Sequence, residues 1–283
     1  MIAVLGAGGQ LGKAFLRLLN GEAAPFTRVD LDLTRSDQIE PWVASTRPAM
    51  VINCAAYTAV DAAESDAETA RLVNTTAVGR LAESTARHHV GLVTFSTDYV
   101  FDGTKETGYV ESDTPHPLSV YGSTKLDGEH LVARHHPDAL VIRTSWILSG
   151  THHNFASTML DLISKGSTVR VVDDQRGRPT MVDDLAVATM EAVEGEATGL
   201  LHLANQGVVT WFDLAREIAV MGGYDGSLLT PIRTDELPRP APRPANSVLD
   251  SERLEDLALA PLPHFRDGLQ RAVDEIMSRA DAT

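Results

Sequence analysis

The chain has 283 residues and a single cysteine, Cys54, so no intrachain disulfide can form and an oxidising compartment is not implied. Cys54 closes the apolar run Met50-Val51-Ile52-Asn53-Cys54-Ala55, where a small buried hydrophobe fits better than a reactive thiol. Positive charge is scarce. With 24 Lys and Arg against 39 Asp and Glu, the net charge of −15 argues against nucleic acid and anionic membrane surfaces as partners. An anionic ligand must then be met locally, by a helix N-terminus or a placed arginine. No apolar run reaches the length of a membrane span, and no basic segment precedes an apolar core at the N-terminus. A cytoplasmic location is therefore expected. Aromatic residues are few, yet a hydrophobic fraction of 43% is ample for a core.

What is present is organised around Val120-Tyr121-Gly122-Ser123-Thr124-Lys125, read with Phe95-Ser96-Thr97-Asp98. Tyr121 and Lys125 stand four residues apart with no proline between them, which on a helix places both on one face. A phenol titrates near pH ~10, so bringing it to neutrality needs roughly 4 kcal/mol, part of which a neighbouring cation supplies. At the N-terminus, the short apolar segment Ile2-Ala3-Val4-Leu5 runs into Gly6-Ala7-Gly8-Gly9-Gln10-Leu11-Gly12 and then an amphipathic helix through Leu19. Gly6 permits the turn, Gly9 lets backbone approach a pyrophosphate, and Gly12 lets the helix pack on the strand. The spacing predicts a dinucleotide site with the pyrophosphate at the helix N-terminus.

A second strand is expected over Phe26-Thr27-Arg28-Val29-Asp30, ending in an acid about twenty residues past the glycines, where a carboxylate bonds an adenosine ribose. Asp32 is a second candidate. Arg28 and Arg35 flank the segment and suit a 2′-phosphate, so NADPH and NADH both stay open. Further strands are predicted at Met50–Ala55, Leu92–Ser96 and Leu140–Thr144, with helices over Ser36–Ser45, Asp66–Asn74, Ala77–His88 and from Tyr121 to about His135. This alternation implies a doubly wound parallel sheet, whose ligands lie beyond the carboxyl ends of the strands. Those ends carry Gly6–Gly12, Asp30, Ala55–Thr58, Ser96–Asp98 and Ser145–Trp146.

Residues 1–150 are read as the dinucleotide-binding domain, with 179–205 returning to it, and 151–178 and 206–283 as a smaller α/β substrate lobe. In that half a helix is expected over Asn154–Ser164, strands at Thr168–Val172 and Leu200–Leu203, and a last helix over Phe265–Ser278. Thr180-Met181-Val182-Asp183 reads as a capping box opening a helix to about Val193. The run Pro238-Arg239-Pro240-Ala241-Pro242-Arg243-Pro244 reads as a stiff extended loop whose arginines also suit a ligand diphosphate. The paired histidines His88-His89, His135-His136 and His152-His153 lack companions at zinc spacing, and no catalytic metal is predicted.

The glycine loop, Ser96-Thr97-Asp98 and Tyr121-x-x-x-Lys125 resemble those of extended short-chain dehydrogenases/reductases of the Rossmann type. More narrowly, Asn53–Asp61, Ser96–Phe101, Tyr121–Glu129, Arg143-Thr144-Ser145-Trp146, Asn154-Phe155-Ala156 and Arg243–Ser247 resemble the dTDP-4-dehydrorhamnose reductase family over nearly the whole chain. That resemblance implies reduction of a 4-keto dTDP-sugar to dTDP-L-rhamnose with a nicotinamide cofactor. It makes Tyr121 the proton donor and Thr97 a hydrogen-bonding partner at the reacting centre, while Lys125 bonds the nicotinamide ribose and lowers the Tyr121 pKa. It puts Gly6, Gly9, Gln10, Leu11, Gly12, Asp30, Asp32, Leu33, Ala55, Ala56, Tyr57 and Phe95 on the cofactor side. Thr58, Val60, Thr97, Asp98, Trp146, Asn154 and Arg243 fall on the substrate side. Ile147-Leu148-Ser149-Gly150 departs from the aromatic and small residues common in the family. The alternatives are another nucleotide-sugar 4-ketoreductase and a non-catalytic subunit resembling the regulatory partner of methionine adenosyltransferase. A homodimer, and the Mg2+ associated with a dimer interface in some relatives, stay open.

Overall fold

The computed structural model describes residues 1–280. Its strands are β1 (Ile2–Leu5), β2 (Ala23–Phe26), β3 (Met50–Asn53), β4 (Gly91–Thr97), β5 (Leu140–Thr144), β6 (Ile147–Leu148), β7 (Val169–Val172), β8 (Arg176–Gly177), β9 (Thr180–Met181), β10 (Gly199–His202), β11 (Val209–Thr210) and β12 (Leu229–Ile232). The helices are α1 (Gln10–Leu18), α2 (Ile39–Thr46), α3 (Val60–Ala63), α4 (Ala67–Arg71), α5 (Ala77–Arg87), α6 (Val120–His135), α7 (Phe155–Ser164), α8 (Val182–Glu194), α9 (Trp211–Met221) and α10 (Phe265–Ala280).

Six strands form one sheet in the order β10-β5-β4-β3-β1-β2, every neighbouring pair parallel. Because strand side chains alternate, each face receives its own apolar set. Val4, Ile52, Val93 and Ile142 meet Phe15 of α1 and Leu185 of α8 on one side. On the other, Ala3, Leu5, Val51, Leu92 and Val141 meet Val43 of α2, Leu81 of α5 and Val132 of α6. A third core, of Leu160, Ile163, Val171, Leu214, Ile218, Phe265 and Leu269, joins α7, α9 and α10 to the parallel pair β7–β12.

Local chemistry moves three elements from where the sequence alone puts them. The second strand stops at Phe26, not Asp30, because Asp30 turns back and accepts hydrogen bonds from the Thr27 N–H and hydroxyl at 2.7 and 2.8 Å. This side-chain bonding competes with the ladder and ends it. The predicted capping box at Thr180 does not form. Thr180 and Met181 pair instead with Ile147 and Leu148 as β9, α8 opens at Val182 with no side-chain cap, and Asp183 bonds Arg17 at 2.6 Å. The expected break near Asn74 is a π-helical turn, Leu72–Thr76, running on from α4 into α5. That turn aims the Asn74 amide inward, where it bonds the Tyr57 N–H, the Tyr57 carbonyl and the Thr124 hydroxyl. The loop after β3 is thereby tied to α6.

Candidate active site

Two cavities open at the carboxyl edge of the sheet. The first, of about 650 Å³, is floored by the glycine loop and lined on its sides by the ends of β2, β3 and β4. Gly6, Gly9, Gln10, Leu11, Asp32, Leu33, Ala55, Ala56, Tyr57, Thr58, Phe95, Tyr121 and Lys125 all line it. Gly6 has φ +70°, and a Cβ there would lie 2.7 Å from the Ala55 nitrogen, so only glycine makes this turn. Gly12 lies outside the lining; a Cβ on it would sit 2.4 Å from the Gly6 carbonyl oxygen, so its role is the close packing of α1 on the loop. The α1 N-terminus has no side-chain cap, which leaves its N–H groups for an anion. Ser96 and Thr144 line the same cavity with buried hydroxyls that have no partner. A cradle without Cβ atoms, an uncapped helix start and unpaired hydroxyls fit a nicotinamide dinucleotide.

Asp30 is fully exposed and does not line this cavity; its carboxylate is taken up by Thr27. Thr27, Arg28 and Thr34 line the cavity at that end, with the Arg28 Nε 3.3 Å from the Asp32 carboxylate. Arg28 is the one of the three that its place in the sequence marks, as a cation beside the expected ribose acid; nothing local marks Thr27 or Thr34.

The second cavity, of about 560 Å³, lies against the C-terminal core. Arg170, Arg239 and Arg243 line it together with Tyr99, Phe155 and Trp211, an anion-and-ring combination that sequence reading resolved only at Arg239 and Arg243. The Arg243 guanidinium forms a two-bond pair with Asp61, Nη2–Oδ2 being 2.9 Å, and so ties the proline-rich loop to α3. The bonds from Arg243 hold the Asp61 carboxyl below its usual range, against the opposing effect of burial. Val60 begins α3 beside this link and lines neither cavity.

Ser96 belongs to the first cavity and Tyr99 to the second, so Thr97 and Asp98 span the wall between them. Both are buried, and the Thr97 hydroxyl donates to Asp98 Oδ1 at 3.0 Å while Oδ2 has no partner. Burial raises the Asp98 carboxyl to about 6. Tyr121 lies against the same wall, its ring edge-on to Tyr99 at 5.8 Å. Its phenol is pushed up, first by burial, while a hydrogen bond with Thr97 pulls the other way. The expected depression by Lys125 is absent. The Lys125 ammonium bonds the Phe95 carbonyl at 2.5 Å, and burial lowers it to about 8. The phenol is consequently protonated at neutral pH.

Two substrate-side expectations land elsewhere. Asn154 is the N-cap of α7: its oxygen accepts from the Ala156 and Ser157 N–H groups, and its amide nitrogen donates to Gln10 and to the Ser149 and His152 carbonyls. All its bonding capacity is thus used within the fold. Trp146, at φ +47°, stacks on Trp211 with centroids 3.6 Å apart, and Gly177 is bare where a Cβ would strike the Trp146 ring. It lines neither cavity and instead backs Trp211, which does line the second. Among the described residues no cluster of His, Cys, Asp and Glu is arranged to hold a metal. No helix among them is long and apolar enough to cross a membrane.

A parallel doubly wound sheet, a glycine loop at its first crossover, and a threonine–tyrosine–lysine set beyond β4 have the architecture of an extended short-chain dehydrogenase/reductase. The chain matches the family model "RmlD substrate binding domain" over residues 1–278 and belongs to that family. It is 40% identical to a Mycolicibacterium smegmatis dTDP-4-dehydrorhamnose reductase over 98% of this chain and 86% of that protein. It is also 40% identical, over 97% of this chain and 95% of the other, to a Streptomyces antibioticus protein named "Probable dTDP-4,6-dihydroxy-2-methyloxan-3-one 4-ketoreductase". The crystal structure of a Bacillus anthracis dTDP-4-dehydrorhamnose reductase in complex with NADP superposes with a TM-score of 0.93 at 34% identity, covering 97% of this chain and 98% of that one.

Proposed function

We propose that this chain is an NAD(P)H-dependent reductase that converts the 4-keto group of dTDP-4-dehydro-L-rhamnose to the alcohol of dTDP-L-rhamnose, the last step of dTDP-rhamnose synthesis. The observation that carries this reading is the wall formed by Thr97, Asp98 and Tyr121 between a dinucleotide-shaped cavity and an arginine-lined one. NADPH is the expected coenzyme, and NADH a weaker substitute. The reduced nicotinamide, when bound, supplies the hydride. The protein's part is to hold both reactants and to provide the proton. Hydride arriving at C4 leaves an oxyanion; the protonated Tyr121 phenol donates to it, and the Thr97 hydroxyl, turned from Asp98, donates a hydrogen bond to the same oxygen. Lys125, bonded to the Phe95 carbonyl, holds positive charge in the wall of the coenzyme cavity. Arg239 and Arg243 grip the diphosphate, Arg170 lies beside them, and Trp211 and Phe155 offer flat apolar faces to the base. Both reactants are small cytoplasmic molecules, and we place the protein there with them.

A second reading, a 4-ketoreductase acting on a different dTDP-sugar, is favoured by the equal identity to the Streptomyces antibioticus ketoreductase. The test is coenzyme oxidation with a panel of 4-keto dTDP-sugars of both C5 configurations. A kcat/KM at least tenfold higher for dTDP-4-dehydro-L-rhamnose supports the first reading. A higher value for another sugar replaces it with the second.

A further inference from the structure

One group of buried charges, Glu129, Arg143 and His202, lies behind Lys125 and lines neither cavity. Glu129 lies one helical turn beyond Lys125 on α6, and the two residues are only 9% and 5% exposed. Its carboxylate takes two bonds from Arg143 of β5, Nε–Oε1 at 3.0 Å and Nη2–Oε2 at 2.6 Å. Arg143 is itself 2% exposed and lies over the Phe101 ring, 5.0 Å from its centroid. Its remaining Nη1 faces Nε2 of His202 at 3.3 Å, while Nδ1 of His202 is 2.8 Å from the Asp250 carbonyl oxygen. A carbonyl only accepts, so Nδ1 carries the proton and Nε2 offers its lone pair to Arg143. His202 is therefore neutral in this arrangement.

Glu129 thus stands between two buried cations, Lys125 one helical turn before it on α6 and Arg143 bonded to its carboxylate. The other ionisable groups on this side are Tyr121 on the same helix and Asp98 beyond β4. Glu111, from the loop before α6, accepts from the His202 backbone N–H at 2.8 Å. Asp127 on the outer flank pairs with Arg71, and His130 is exposed. Buried cations without an anion are strongly disfavoured, and an ammonium responds by losing its proton.

We infer that Glu129, held in place by Arg143 and His202, is a positioning residue for the reduction: it supplies the negative potential that keeps Lys125 cationic and in place in the wall of the coenzyme cavity. This rests on the ketoreductase reading above. It predicts opposite effects from the two partners of one ion pair. In Glu129→Gln, Lys125 shares the interior with an uncompensated Arg143, and the alkaline limb of the kcat/KM–pH profile should move about one unit to lower pH. In Arg143→Met, the whole carboxylate charge faces Lys125, and the limb should move to higher pH. The double variant should return toward wild type. A purely structural role would lower activity in both single variants without moving their limbs apart. Limbs that stay fixed, or that move the same way in both, overturn the inference. A wild-type protein inactive on every 4-keto sugar would instead overturn the ketoreductase reading itself.

Discussion

Replacing Arg28 by methionine should weaken NADPH binding by roughly 5–30-fold and leave NADH binding within twofold. The chain turns out of β2 at Phe26, and Thr27 and Arg28 then line the end of the first cavity. In a doubly wound sheet this is where the adenosine ribose lies. Asp30, the carboxylate that would have favoured a free 2′-hydroxyl, is turned away onto Thr27, and the cation lining the cavity at this end is the Arg28 guanidinium, beside the Asp32 carboxylate. That guanidinium is 77% exposed and already 3.3 Å from Asp32, so the attraction for a 2′-phosphate is screened and partly spent. An exposed pair of this kind contributes about 1 kcal/mol, and a doubly charged phosphate roughly doubles it, which gives the stated range in Kd. Methionine keeps the apolar stem, so the change is mainly one of charge. Coenzyme fluorescence titrations at two salt concentrations read the effect, which should shrink as salt rises. An equal loss for both coenzymes, or unchanged NADPH affinity, would refute the assignment of the ribose end to Arg28.

Two further outcomes follow from the geometry. Gly12→Ala drives a methyl into the Gly6 carbonyl, 2.4 Å away, and into Ala7. It should destabilise the fold by about 1–3 kcal/mol in denaturant melts and weaken both coenzymes alike; full affinity in a stable variant would show the loop to be looser than described. Burial raises the Asp98 carboxyl to about 6, above its unfolded value, so the native state binds this proton more tightly than the unfolded chain does. Stability should therefore decline as pH rises from about 4 through 6, by up to about 3 kcal/mol from this group. Asp98→Asn should lack that part of the decline in melts at pH 4.5 and 7, and parallel pH dependence in the two proteins would contradict it.

Those elements whose signal is local were legible in the sequence. The glycine loop is a backbone requirement, and the phenol–lysine spacing is a helix period, so both could be located without the fold. Strand–helix alternation carries the parallel doubly wound class, whereas the order β10-β5-β4-β3-β1-β2 depends on which strand edges pair and is seen only in the fold. What escaped depends on partners distant in sequence. Nothing near Asp30 says that its carboxylate will be used by Thr27 before a ribose can reach it. Thr180 and Asp183 have the residue types of a capping box, but Ile147 and Arg17 claim them first. Asn154 looks like a ligand-binding amide, and its helix start uses it as a cap while Gln10, from the glycine loop, takes its N–H. Trp146 is expected on the sugar side, yet its face is covered by Trp211, 65 residues later. The Tyr121 phenol departs from expectation for the same kind of reason: spacing places Lys125 nearby but does not reveal that its ammonium is bonded to the Phe95 carbonyl.

The central claim is that Tyr121 delivers the proton that completes ketone reduction in the wall between the two cavities. It is tested most directly by following NADPH oxidation at 340 nm with dTDP-4-dehydro-L-rhamnose in wild type and Tyr121→Phe, alongside NADPH titrations of both proteins. The account predicts rapid oxidation by wild type, a loss of roughly 10²–10⁴ in kcat in the variant, and nearly equal NADPH affinity. Turnover in Tyr121→Phe close to that of wild type would contradict it.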